Sequence, residues 1–219
     1  MTSLNKHKIL NIHHSKSGII ELILERKDVL FKPGDCMVIS SNDAKSRPYS
    51  ICSGINDNFL SFLIRKIKNG QVSKYLSNLK KNDQLLISEP FGWFSPLKNN
   101  TNQKNIFFAT GTGIAPFLSY LKSYPNNPPD SLFYGVRKKE DLFGLNNFAM
   151  IKNLYISISK EESKYHNGRI TENFSHIPLS KNNNYYCCGR ESMINDVRIF
   201  LKTKGISKNK IFNEVFFNG

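Results

Sequence analysis

The rhythm of apolar residues changes near position 100, and that change limits the possible fold more than any other feature of the chain. Before it, apolar runs are short: 19–24, 36–39, 58–64 and 84–88. Each follows a turn signal, namely Gly18, Pro33-Gly34-Asp35, an Asn/Asp turn and Lys81-Asn82-Asp83. Short strands punctuated this way predict an antiparallel barrel or sandwich. One helix is expected among them, over 73–79, with Ser73 as its N-cap. The stretch 97–105 is polar from Lys98 onward and reads as a linker. Beyond it, strands at 106–109, 131–136, 154–159, 184–188 and 210–217 alternate with helices at 115–122 and 192–202. Such alternation predicts a parallel α/β sheet with crossover helices. The expected domains are 1–98 and 104–219.

Composition narrows the functional classes. At 219 residues the chain can bury sizeable cores without disulfide or metal staples. Its 16 Phe and 9 Tyr give the apolar surface that disordered chains lack. The four cysteines, Cys36, Cys52, Cys187 and Cys188, include no Cys-x-x-Cys spacing. A structural zinc site and a cysteine-ligated iron–sulfur cluster are therefore not expected, so no metal is assigned. Neighbouring Cys187 and Cys188 are poor disulfide partners, and reduced thiols fit a cytoplasmic location. The N-terminus has no apolar core of signal-peptide length. No run reaches the ~18 apolar residues that a membrane span requires. The net charge is +14, with 15 basic and 8 acidic residues in 1–100 and 16 and 9 in 101–219. The excess is thus spread over both halves. It is open to two readings: a partner of opposite sign, or the drift of a Lys-rich composition.

Five short motifs carry chemistry. Thr110-Gly111-Thr112-Gly113-Ile114-Ala115-Pro116 is a glycine turn between a buried strand and a helix. There, backbone N–H groups can approach a phosphate in front of a helix N-terminus. It lacks the Walker lysine, and Pro116 stands where a third glycine would complete a dinucleotide fingerprint. Arg47-Pro48-Tyr49-Ser50 offers a phosphate-gripping fork, a ring that can stack and a hydroxyl. Gly70-Gln71-Val72-Ser73 precedes a helix and is a second place for N–H groups to meet phosphate. Cys188-Gly189-Arg190-Glu191-Ser192-Met193 joins a strand to a helix. Finally, Glu214-Val215-Phe216-Phe217 puts a carboxylate and two rings on a terminal strand. Taken one at a time, these also fit a tight turn, a surface loop, a capped helix and a buried cysteine.

In this order and spacing the five motifs resemble the ferredoxin–NADP reductase family over nearly the whole chain. The resemblance implies an antiparallel FAD-binding β-barrel followed by a parallel-sheet NADP-binding α/β domain. It implies that Arg47 and Pro48 lie at the FAD pyrophosphate, that Tyr49 stacks on the isoalloxazine and that Ser50 bonds its N5. Gln71, Val72 and Ser73 would cradle the pyrophosphate. Leu63 and Arg65 would touch the ring or ribityl chain, and Thr112 the flavin edge. Gly111, Gly113, Ile114, Ala115 and Pro116 would shape the NADP pyrophosphate pocket, with Gly189 and Met193 nearby. Cys188 would sit at the nicotinamide C4 and Glu214 would handle charge or protons there. Phe216 or Phe217 would cover the flavin, and Asn218-Gly219 run past it as in bacterial members. Ser159-Lys160, Val136-Arg137 and Gly168-Arg169 match the region that receives a 2′-phosphate, which favours NADPH over NADH. Lysine in place of arginine keeps the charge but loses the bidentate fork.

The implied reaction is hydride transfer between NADPH and bound FAD, coupled to one-electron exchange with an acidic ferredoxin or flavodoxin. The protein is expected to act as a monomer. Two alternatives share the fold: a reductase of free flavin and the reductase component of an oxygenase chain. The turn Glu89-Pro90-Phe91-Gly92-Trp93-Phe94 suits the latter. A nucleic-acid-binding role finds no motif in the sequence.

Overall fold

In a computed structural model, residues 4–41, 45–100 and 102–216 are described. They divide into two compact units. The first comprises residues up to Ser95 together with Ala115–Ser123, and the second comprises Pro96–Ile114 and the chain from Tyr124 onward.

The first unit is an antiparallel sheet of β1 (Leu4–His14), β2 (Ile19–Glu25), β3 (Cys36–Ser40), β4 (Ser46–Ser50), β5 (Phe59–Arg65) and β6 (Gln84–Ser88). Their order is β4-β3-β6-β1-β2-β5. Past β4, Ile51 bridges to Phe62 and Cys52 N–H donates to Ser61 O at 2.7 Å, so the sheet nearly closes on itself. Alternation drives this. Ile20, Leu22 and Leu24 of β2 meet Leu60, Phe62 and Ile64 of β5 in a core with Met37, Ile39, Leu85 and Ile87. Pro48 is tolerated in β4 because that strand has a ladder partner only in β3. Helix α1 (Gln71–Leu76) inserts Val72 and Leu76 into the same core. Helix α2 (Ala115–Ser123) is tied to the loop after β4. Ser119 Oγ donates to Ser53 O at 2.7 Å and Lys122 Nζ to Cys52 O at 3.1 Å.

The second unit is a parallel sheet of β7 (Asn105–Thr110), β8 (Ser131–Val136), β9 (Asn153–Ile158), β10 (His166–Asn167), β11 (Asn184–Gly189) and β12 (Ile211–Val215). Its order is β10-β9-β8-β7-β11-β12. β8 and β11 are buried along their whole length, as strands covered on both faces must be. On one face Ile106, Phe108, Phe133, Tyr185 and Cys187 pack against Met193, Ile194 and Val197 of helix α3 (Glu191–Thr203). Phe133 is stacked between Phe108 and Tyr155, at 4.9 and 4.7 Å.

The two-domain β plus α/β fold is the one the sequence predicts. Three local expectations change. The polar stretch expected to be a linker is tied down at Asn99 and Asn105 among its described residues. Asn99 N–H donates to Asn127 Oδ1 at 2.8 Å, Asn99 Nδ2 to Pro128 O at 2.5 Å and Asn105 N–H to Asn99 Oδ1 at 2.6 Å. Short polar side chains here satisfy backbone groups at the start of the parallel strands. Ser73 is not an N-cap; Gly70 occupies that position without a side-chain cap, and Ser73 lies inside the helix. Arg47–Ser50, open to reading as a surface loop, forms strand β4. Among the described residues, no helix is long and apolar enough to cross a membrane.

Candidate functional site

In the first unit, β4 carries the motif residues on an edge strand. Arg47 and Pro48 are exposed, Tyr49 is half-buried and Ser50 is 3% exposed. Arg47 Nη1 donates to Ser46 O at 2.8 Å, which holds the side chain along its own strand. Tyr49 packs against the barrel core. Burial pushes its phenol up to about 12 against the opposing pull of Arg47, so the ring is neutral. On β5, Leu60, Phe62 and Ile64 turn inward, leaving buried Leu63 and half-buried Arg65 on the other face. At α1, Ile67 N–H donates to Ser73 Oγ at 3.1 Å and Ser73 Oγ donates to Gly70 O at 3.4 Å. The Ser73 hydroxyl therefore shapes the turn from within, and Val72 belongs to the core. What 71–73 present to a ligand is main-chain N–H groups at a helix start without a side-chain cap. A planar cation, a neutral half-buried ring, a hydroxyl and main-chain donors suit a molecule that joins a diphosphate to a flat ring.

In the second unit, the C-terminal ends of β7 and β11 are clasped together. A Cβ on Gly113 would lie 2.4 Å from Cys188 O, and one on Gly189 would lie 2.3 Å from Thr110 Oγ1. Thr110 Oγ1 in turn accepts the Arg190 N–H at 2.9 Å. These two glycines are thus required by backbone meeting backbone, before any ligand is considered. Gly111 and Thr112 are half-buried, in a 3₁₀ turn, Gly111–Ile114, that leads into α2. Ile114 is buried, so only its main chain can meet a nucleotide; Ala115 and Pro116, which open α2 in the first unit, are buried as well. Met193 is spent on the core beneath α3. The register of β11 and β12 sets Cys188 beside Glu214. Cys188 Sγ donates to Glu214 Oε2 at 3.7 Å. Burial pushes this thiol well above its ordinary range, and the carboxylate reinforces the shift. Cys188 is therefore a neutral thiol at physiological pH. Phe216 is half-buried and its N–H donates to Gly189 O at 3.0 Å. Phe217 lies outside the described residues.

The parallel sheet also gathers three cations from distant sequence positions. Ser159 N–H donates to Val136 O at 3.1 Å and Lys160 N–H to Arg137 O at 2.9 Å. Gly168 N–H donates to Ile158 O at 3.0 Å, bringing Arg169 to the same strand ends. Val136 is buried, whereas Arg137, Ser159, Lys160 and Arg169 are exposed. Such a cluster can receive a dianionic phosphate.

Residue-by-residue reading of the sequence missed two supports. Thr110 reads in the sequence only as the first residue of the glycine turn, yet it ends β7 and its hydroxyl anchors the turn after β11. Tyr134, wholly buried on β8, donates toward Gly111 O at 3.3 Å and Asp141 O at 3.2 Å. A tyrosine within the apolar run Leu132–Val136 was the available signal, since a buried phenol requires a partner.

Comparison with known proteins identifies both halves of the chain. The Oxidoreductase FAD-binding domain family matches residues 10–95 and the Oxidoreductase NAD-binding domain family matches residues 107–198. The flavodoxin/ferredoxin–NADP reductase of Buchnera aphidicola (subsp. Schizaphis graminum) is 30% identical, over 92% of this chain and 91% of its own. The anthranilate 1,2-dioxygenase electron transfer component of Acinetobacter baylyi is 33% identical over 87% of this chain. The match spans 59% of that relative's length. A ferredoxin NADP+ reductase structure from Neisseria gonorrhoeae superposes with a TM-score of 0.86 at 21% identity, covering 99% of this chain and 100% of its own. With both domain families matched in order and a full-length relative at this identity, the chain belongs to the ferredoxin–NADP reductase family of FAD-dependent NAD(P)H oxidoreductases.

Proposed function

We propose that the protein moves electrons between NADPH and a small one-electron carrier, an acidic ferredoxin or flavodoxin, as a cytoplasmic monomer. The relative from Buchnera aphidicola bears the name of that activity. The observation that carries the nucleotide choice is the cluster of Arg137, Lys160 and Arg169 with Ser159 beyond the ends of β8–β10. NADH has no 2′-phosphate to engage it.

In this reading residues 1–98 bind FAD and 104–219 bind the nicotinamide nucleotide. FAD held by the first unit would supply the chemistry, a two-electron hydride acceptor that can give up electrons one at a time. Arg47, Pro48 and the N–H groups of Gln71, Val72 and Ser73 hold the FAD diphosphate. Tyr49 supplies a flat neutral face, Leu63 and Arg65 line the ring or ribityl chain, and Ser50 offers a hydroxyl to the flavin N5. Thr112, with Phe216 and Phe217, borders the flavin. Gly111, Gly113, Ile114, Ala115 and Pro116 present main chain to the second diphosphate, with Val136, Gly189 and Met193 as its walls and support. Cys188 offers the nicotinamide an uncharged thiol, and Glu214 keeps the proton on it.

Anaerobic reduction by NADPH and by NADH, followed in the flavin absorption bands, tests this directly. The expected result is a yellow protein bleached faster by NADPH at low nucleotide concentration. A colourless protein that reduces added flavin would establish a free-flavin reductase instead. Ser50→Ala is expected to keep FAD bound and slow its reduction; a wild-type rate would remove Ser50 from that role. Reduction of an acidic ferredoxin should slow as salt rises, because steering of an acidic carrier by a +14 chain is screened. A rate that ignores salt would leave the charge as compositional drift.

A further inference from the structure

We propose that Glu172 is the positioning residue that aims Arg169 at the nucleotide 2′-phosphate, and that it thereby contributes to choosing NADPH over NADH. The inference rests on the 2′-phosphate reading above. It concerns a residue that belongs to none of the five motifs.

Arg169 follows Gly168, whose N–H is docked on Ile158 O at the end of β9. It is extended, at φ −94° and ψ 153°, and it immediately precedes the 3₁₀ turn Ile170–His176. The carboxylate of Glu172 bridges both sides of this corner. Its Oε1 accepts the Arg169 N–H at 2.9 Å. Its Oε2 lies 3.1 Å from His166 Nε2 on β10. Between them, a Cβ on Gly168 would sit 2.3 Å from that same Oε2, so the carboxylate is seated over the Gly168 main chain. Hydrogen bonding from Arg169 and His166 holds the Glu172 carboxyl below the usual carboxylate range.

The base of the clamp is fixed from beneath. Ile170 is 3% exposed in the core, and Asn173 Nδ2 donates to the buried Ser157 Oγ at 3.1 Å. Glu172 thus stands on an anchored turn and reaches back over an exposed one. An exposed arginine samples many rotamers. Fixing its main chain narrows the directions its guanidinium can take and lowers the ordering cost of gripping a phosphate. A carboxylate close to an anion site is tolerable here because Arg137, Lys160 and Arg169 lie at the ends of adjacent strands and His166 contacts Glu172 from its other side.

The test uses the FAD-loaded protein with Glu172→Ala, Glu172→Gln and Arg169→Ala. The readouts are calorimetric Kd values for adenosine 2′,5′-bisphosphate and for adenosine 5′-monophosphate, and KM and kcat with NADPH and NADH. Glu172→Ala is expected to weaken the bisphosphate and raise the NADPH KM by roughly 3- to 10-fold, the scale of one charge-assisted hydrogen bond at an exposed site. The monophosphate Kd, both kcat values and the NADH KM should stay at wild type. Glu172→Gln keeps an acceptor for the Arg169 N–H and should recover most of the loss. Equal effects on both nucleotides, no effect on either, or a Gln variant as poor as the Ala variant would each overturn the proposal. If Arg169→Ala weakens the bisphosphate and Glu172→Ala does not, the Glu172 inference alone is lost. If neither Arg169→Ala nor Glu172→Ala discriminates the two adenosine phosphates, the 2′-phosphate reading falls with it.

Discussion

The candidate flavin residues and the candidate nicotinamide residues are assembled in opposite ways. The first sit mainly on one short edge strand and one helix start, Arg47–Ser50 and 71–73, so neighbours in sequence are neighbours in the site. The second are drawn from the ends of six parallel strands, from Thr110 to Glu214, and only the sheet order unites them. A local site depends on the side chains it displays. A site made from strand ends depends first on how closely the main chains can approach, as Gly113 and Gly189 require.

Substitutions can break this contrast. Gly113→Val should have the largest effect, because the added side chain meets the Cys188 carbonyl rather than a flexible neighbour. A stability loss of about 3 kcal/mol or more is expected by urea unfolding. An unmoved midpoint would show that the strand ends can part without cost. Arg47→Ala should leave the urea midpoint in place and weaken FAD by roughly 10- to 100-fold, measured by flavin titration. Lys160→Glu should raise the NADPH KM about tenfold or more and spare NADH, which a matched pair of steady-state curves would check.

Alkaline pH probes both units together. Burial pushes the Cys52 thiol of the barrel up to about 11, with the Lys122 ammonium opposing, and burial likewise raises Cys187 in the parallel sheet. A thiol whose folded pKa is raised stabilises fully below its unfolded pKa, and that stability is lost as pH climbs toward the folded value. The urea midpoint should therefore be level up to pH ~9 and fall above it, with Cys52 contributing roughly 2–3 kcal/mol of the decline by pH ~11. Cys52→Ala should flatten that part of the slope, and an unchanged slope would contradict it. The smallest effect is expected at Trp93, which is 90% exposed. Trp93→Ser should alter stability by less than about 0.5 kcal/mol, as read from the same unfolding curves.

The legibility of each region follows from the same contrast. Strands such as 19–24 and 106–109 announce themselves because their apolar residues are contiguous or alternate. β1 escaped detection although it runs Leu4–His14 and joins β6 to β2 at the centre of the barrel sheet. Only His7 and Ile9 of that strand are buried, so its pattern is too sparse to read as alternation. The His7 ring, with Nδ1 2.9 Å from Glu25 O, occupies an inward position that the sequence presents as polar. β4 was equally obscure because Arg, Pro and Ser are poor strand formers; its ladder to β3 outweighs local preference. The asparagines of 97–105 look like linker in sequence, and their partners lie at Asn127 and Pro128.

By itself the sequence determined the two-part architecture, the glycine turn after β7 and the residue types available for holding a diphosphate and a flat ring. Those properties are written in periodicity and in short motifs, where the physics acts over a few residues. Tertiary structure supplied the contact of Cys188 with Glu214 and the adjacent strand ends of Arg137, Lys160 and Arg169, both of which the family resemblance only implied, and it alone decided that Glu172 bridges His166 and Arg169. The first two pairings follow from parallel register and strand order, and the third from a tight corner between β10 and the turn after it. Each is a matter of distances of a few ångströms between groups whose spacing along the chain carries no trace of them.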